Sequence, residues 1–100
     1  MKQYLILAET EETVYFVEIV DDLELALSRE KLFFELAFNS PTDHKRMREE
    51  FKPLGTYTIG TENALTENAL SGSSNGFSAT YVLEIDENFN FENFATSRNS

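Results

Sequence analysis

The chain has no cysteine and no tryptophan, one histidine, two prolines and four glycines among 100 residues. Without cysteine there can be no disulfide, no thiolate nucleophile and no Cys-ligated zinc. Small secreted domains commonly need disulfide staples, so their absence favours a cytoplasmic home. No apolar run approaches the ~20 residues that span a bilayer. Tyr4-Leu5-Ile6-Leu7-Ala8 turns acidic at Glu9 and follows a single lysine, so it reads as a strand and not as a signal peptide. The glycines, Gly55, Gly60, Gly72 and Gly76, fit neither the dinucleotide fingerprint nor the Walker pattern, and there is no Gly-x-Ser-x-Gly elbow.

Positive charge is scarce as well. Eighteen acidic residues face eight basic ones, for a net charge of −10. Such a chain repels phosphate backbones and anionic membranes and attracts basic surfaces. The imbalance is uneven. Residues 1–40 hold nine acids and three bases, residues 41–53 three acids and four bases, and residues 54–100 six acids and one base.

What is present is enough apolar material, 41% of residues, for one small core. A single domain is expected over residues 1–94, followed by a frayed polar tail at 95–100. Residues 3–8 and 13–20 read as two strands joined by a short acidic link, which suggests an antiparallel hairpin. Tyr4, Ile6 and Ala8 share one face and Leu5 and Leu7 the other. Apolar residues on both faces mark strands covered on both sides. The second cover could come from the tail or from a partner.

Asp21 is expected to cap a helix running to about Phe38, with Glu24 completing a capping-box-like pair and Asn39 as its stop. Ser40-Pro41-Thr42-Asp43 opens a second, mostly polar helix to Phe51, anchored by Met47 and Phe51. Residues 54–60 read as a third strand. Thr61-Glu-Asn-Ala-Leu65 is duplicated at once in Thr66-Glu-Asn-Ala-Leu70, which reads as a lengthened loop, with a short helical turn as the alternative because Leu65 and Ala69 stand at i,i+4; residues 71–76 read as a flexible loop. From Phe77 to Glu92 apolar and polar residues alternate, the pattern of one long strand or a hairpin with one wet face. The expected fold is α+β, in the order β-β-α-α-β-β, with an antiparallel sheet and helices on one face.

Few constellations carry chemistry. Asp21-Asp22 and Glu11-Glu12 are adjacent carboxylates, better explained by helix capping and a solvated turn than by acid catalysis. His44, flanked by Asp43, Lys45 and Arg46, reads as an exposed histidine without an orienting partner. Asp86-x-Asn88-x-Asn90 begins like an EF-hand loop. It then fails, with Phe91 in place of the obligatory glycine and Ser97 in place of the bidentate glutamate. Lys45–Glu49 and Arg46–Glu50 stand at i,i+4 spacing and suit pairing on an exposed helix. No catalytic residue, cofactor or metal is expected, and the chain is not expected to be an enzyme.

The acidic faces are the most suggestive feature. Glu84, Asp86 and Glu92 would share one side of the last strand, about 7 Å between alternate positions, roughly twice the per-strand charge spacing along DNA. A second acidic edge would gather Glu9, Glu11 and Glu12 with Asp21, Asp22 and Glu24. Tyr57, Phe89 and Phe91 are the expected aromatic anchors of a contact. In size, charge and lack of a catalytic signature the chain is similar to small acidic inhibitors. These include the nucleic-acid-mimicking anti-restriction and anti-CRISPR proteins of phages, and immunity proteins against basic nuclease toxins. That likeness implies an inhibitor that occupies a basic surface on a nuclease or nucleic-acid-binding complex. The alternative expectation is a homodimeric assembly module, motivated by the two-sided apolar hairpin.

Overall fold

The computed structural model describes residues 2–38 and 42–96. Five strands form one antiparallel sheet: β1 Gln3–Thr10, β2 Thr13–Val20, β3 Lys52–Thr56, β4 Ser71–Ser74 and β5 Ser78–Ile85. Their order is β3-β2-β1-β5-β4, which puts the first hairpin in mid-sheet. Four helices complete the fold: α1 Leu23–Ala37, α2 Thr42–Glu50, α3 Ile59–Asn68 and α4 Phe91–Thr96.

Both faces of the sheet are covered, which corrects the expectation of helices on one face. Ile6 and Ala8 pack with Val82, Ala26 and Met47 beneath α1 and α2, whereas Leu5 and Leu7 pack with Leu83 and Leu65 beneath α3 and α4. The apolar centre of β1 is therefore closed on both sides within the chain, while the second half of β2 stays partly open. The second cover comes from the duplicated segment, expected to be a loop. Thr58 caps α3, its hydroxyl accepting from the Thr61 N–H at 3.2 Å. The first copy buries Thr61, Ala64 and Leu65, while Leu70 of the second is half exposed. Five residues advance a helix by about 140° beyond one turn, so the copies cannot present the same face.

Several boundaries move. Asp22, not Asp21, caps α1, accepting from the Leu25 N–H at 2.8 Å. The third strand begins earlier than expected and is an edge strand, where Pro53 is tolerated. Ser71–Ser74, read as loop, pairs with β5, and Gly72 permits this: an added Cβ would lie 2.5 Å from the Thr80 carbonyl oxygen. The long alternating strand stops at Ile85 and the chain turns into α4, which takes in Ala95 and Thr96 from the supposed tail. Asn39, Ser40, Pro41 and residues 97–100 lie outside the described residues.

The polar side of β5 is wet only at Glu84. Ser78 and Thr80 are buried beneath α1 and α2. Thr80 donates to the buried carboxylate of Glu30 on α1, and Ser78 donates to Thr10 Oγ1 at 2.8 Å. No buried side-chain polar atom among the described residues lacks a partner, so hydroxyls can stand where apolar groups would be expected.

Candidate partner-binding surface

Strand register decides where the acidic residues go. Thr10 pairs with Thr13 at one end of the sheet, and Tyr4 lies between Val20 and Glu84 at the other. Glu9, Glu11 and Glu12 therefore sit at the hairpin tip, while Asp21, Asp22 and Glu24 sit about 23 Å away, seven strand rises along β2. The expected single acidic edge is split, because an antiparallel hairpin sends its turn and its outgoing end in opposite directions. The expected row of Glu84, Asp86 and Glu92 is broken too. Glu84 belongs to β5, Asp86 to the turn after it and Glu92 to α4. Asp86 and Glu84 instead join Asp21, Asp22, Glu24 and Glu87 at one end of the sheet.

The two ends differ in how their charge is met. At the tip, Glu11 takes both Arg48 and His44 from α2, the latter at 3.5 Å. Elsewhere Glu18 holds Arg29 at 2.6 Å, and Lys45–Glu49 and Arg46–Glu50 form the expected pairs along α2. At the far end the sole ion pair among the described residues is exposed Lys2 with Glu84, at 3.6 Å. Asp21, Asp22, Glu24, Asp86 and Glu87 are exposed with no basic partner there. Asp22 and Asp86 are also fixed in place, the first by its cap and the second by accepting from the Asn88 N–H at 2.9 Å.

Glu9 behaves differently. It lies half-buried on the α3 side of β1, where burial pushes its carboxyl above the ordinary range and Glu62 and Glu12 push the same way. The Glu12 N–H, which it accepts, opposes the rise. Tyr57 is not a free anchor: its hydroxyl pairs with that of Tyr81 at 3.2 Å beside Glu9 and Glu62, and burial raises both phenols. Phe89 and Phe91 are half-buried against the core and stack on Phe94.

His44 is not alone, contrary to the sequence reading. Its Nε2 lies 3.1 Å from Ser78 Oγ and its Nδ1 3.5 Å from Glu11. The order carboxylate–imidazole–hydroxyl is that of a nucleophilic triad. However, Ser78 is 1% exposed and turns its own proton to Thr10, so an incoming carbonyl cannot reach it. The trio bolts α2 to the sheet. No sequence signal linked three residues so far apart. Among the described residues, no three metal-ligating side chains converge, and no helix is long and apolar enough to cross a membrane.

Among the described residues three open grooves flank the sheet, one of them, of about 410 Å³, between β3 and α4. On the α1 side, Val17 of β2, Leu32, Phe33 and Leu36 of α1, and Phe51 line about 380 Å³ between the helix and the sheet. On the other side, at the acidic end, Leu5, Phe16, Ile19, Phe89 and Phe91 line about 370 Å³ beneath Asp86 and Glu87. Comparison with protein-family models, curated proteins and solved structures finds no match for the chain.

Proposed function

We propose that the chain is an acidic protein-binding inhibitor that occupies a basic surface on a nuclease or other nucleic-acid-processing protein, in the manner of a nucleic-acid mimic. The observation that carries this reading is the acidic end of the sheet. Asp21, Asp22, Glu24, Asp86 and Glu87 project there without basic partners among the described residues, while most ion pairs gather on α1, α2 and the hairpin tip. Concentrated charge of one sign accelerates encounter with a surface of the opposite sign and favours that partner over others.

Capture by the tagged chain from its native host lysate at low salt, followed by titration of the recovered protein, tests the reading. The recovered protein should process nucleic acid, and its nucleic acid should compete with the chain. Affinity should fall by about tenfold or more as salt rises into the physiological range. Salt-insensitive binding, or a chain and nucleic acid bound side by side, would sink it.

A second reading, a homodimeric assembly module, draws on a different feature from the hairpin that first suggested it. Leu25, Leu32 and Leu36 form an exposed stripe along α1 beside the α1 groove, the pattern of a helix face that seeks a partner.

A further inference from the structure

The groove at the acidic end combines an apolar floor with an acidic rim. Its floor is apolar: Leu5 and Ile85 are buried, and Ile19 on β2 stands 42% exposed. Its rim is acidic, formed by Asp86 and Glu87, and among the described residues no lysine or arginine lines it. The turn that carries the rim is ordered, with the Phe89 N–H bonded to the Asp86 carbonyl at 3.1 Å and the Asn88 N–H to the Asp86 side chain. An anionic or merely apolar occupant would meet repulsion or desolvate two carboxylates for nothing.

Resting on the proposed inhibitory function, we infer that this groove receives a basic segment of the partner protein. One apolar side chain of that segment enters between Ile19 and Phe91, and flanking lysines or arginines lie against Asp86 and Glu87. The apolar anchor supplies residence time and the flanking cations supply selection.

The test uses the full chain and three fluorescent peptides: a central leucine flanked by arginines, the same peptide with serine for leucine, and the leucine peptide with glutamate flanks. Anisotropy measures binding and NMR shift changes locate it. The arginine–leucine peptide should bind, with shifts centred on Ile19, Leu54 and Asp86. The serine peptide should bind about tenfold more weakly, and the glutamate peptide not at all. Ile19→Ser should reproduce the loss caused by the serine peptide. Ile19 is half exposed, and Asp86→Asn with Glu87→Gln retains the turn acceptor, so both variants should fold.

If leucine and serine peptides bind equally, the groove proposal is overturned while the acidic-inhibitor reading stands. Shifts centred on the α1 groove, or a dimer that Ile19→Ser dissolves, also overturn the groove proposal. If no arginine peptide binds at low salt, the groove proposal is overturned, whereas the inhibitor reading falls only if the captured partner binds in a salt-insensitive way or together with its nucleic acid.

Discussion

At the scale of single residues, Glu9 is where charge and burial conflict. Its carboxyl is held above the ordinary value of 4.5, mainly by burial. A raised pKa means that the folded chain binds this proton more tightly than the unfolded chain does. The resulting stability is fully present below the ordinary value and is lost as pH rises through the raised one. Near neutral pH the ionised carboxylate is therefore a cost. Glu9→Gln keeps an acceptor for the Glu12 N–H and removes the charge. It should raise the urea midpoint near neutral pH and lose that advantage in acid, below the ordinary carboxylate value. An equal gain at both pH values would mean that charge is not the cause.

At the scale of elements, the β1–β2 hairpin is held by contacts and not by turn chemistry. Glu11 and Glu12 both adopt left-handed backbone, with φ of 52° and 63°, where asparagine and glycine are the favoured residues. One local bond and two distant contacts hold them: Glu9 takes the Glu12 N–H within the hairpin, the Tyr57 N–H reaches the Glu12 carbonyl at 2.7 Å, and α2 holds the Glu11 side chain. Glu12→Gly should thus stabilise by about 0.5–1 kcal/mol, since the left-handed cost falls on a side chain with no ion-pair partner among the described residues. Glu11→Gly should gain nothing, because it also releases Arg48 and His44. Urea unfolding of the two variants separates these outcomes.

The same elements show what could be read in advance. The hairpin, α1, α2 and the inward faces of β1 follow from local periodicity, and the structure has them. α3 and β4 were not legible. The Thr58 cap precedes a segment whose duplication disguises a single helical turn of buried residues, and Ser71–Ser74 has no β-favouring side chain at all. It pairs because Gly72 lets two backbones approach. The wet face assigned to Ser78 and Thr80 fails for a related reason. Their hydroxyls meet Thr10, His44 and Glu30, partners brought together only by tertiary packing. The acidic residues were legible as a surplus, but their grouping depends on register and chain direction, which periodicity does not fix.

For the whole molecule, which carries a net charge of −10, two groups of carboxylates stand at opposite ends of the sheet. The tip carboxylates are partly met by Arg48 and His44, whereas those at the far end are not. Charges about 23 Å apart feel each other at 0.01 M salt, where the screening length is about 30 Å, and hardly at all at 0.15 M, where it is about 8 Å. Salt therefore does two opposed things. It weakens the exposed ion pairs, each worth about 1 kcal/mol or less, and it relieves repulsion summed over the unpaired carboxylates. With ten negative charges in excess, relief should win, and Tm should rise between those two salt concentrations. The variant Asp21→Asn, Glu24→Gln, Asp86→Asn, Glu87→Gln should have a higher Tm at low salt and a flatter salt dependence. If the inhibitor reading holds, the same variant should lose partner binding, because the carboxylates that cost stability are the ones offered to the partner. A variant with the salt dependence of the parent would show that the far end is not where repulsion concentrates, and the proposed binding surface would have to be sought elsewhere.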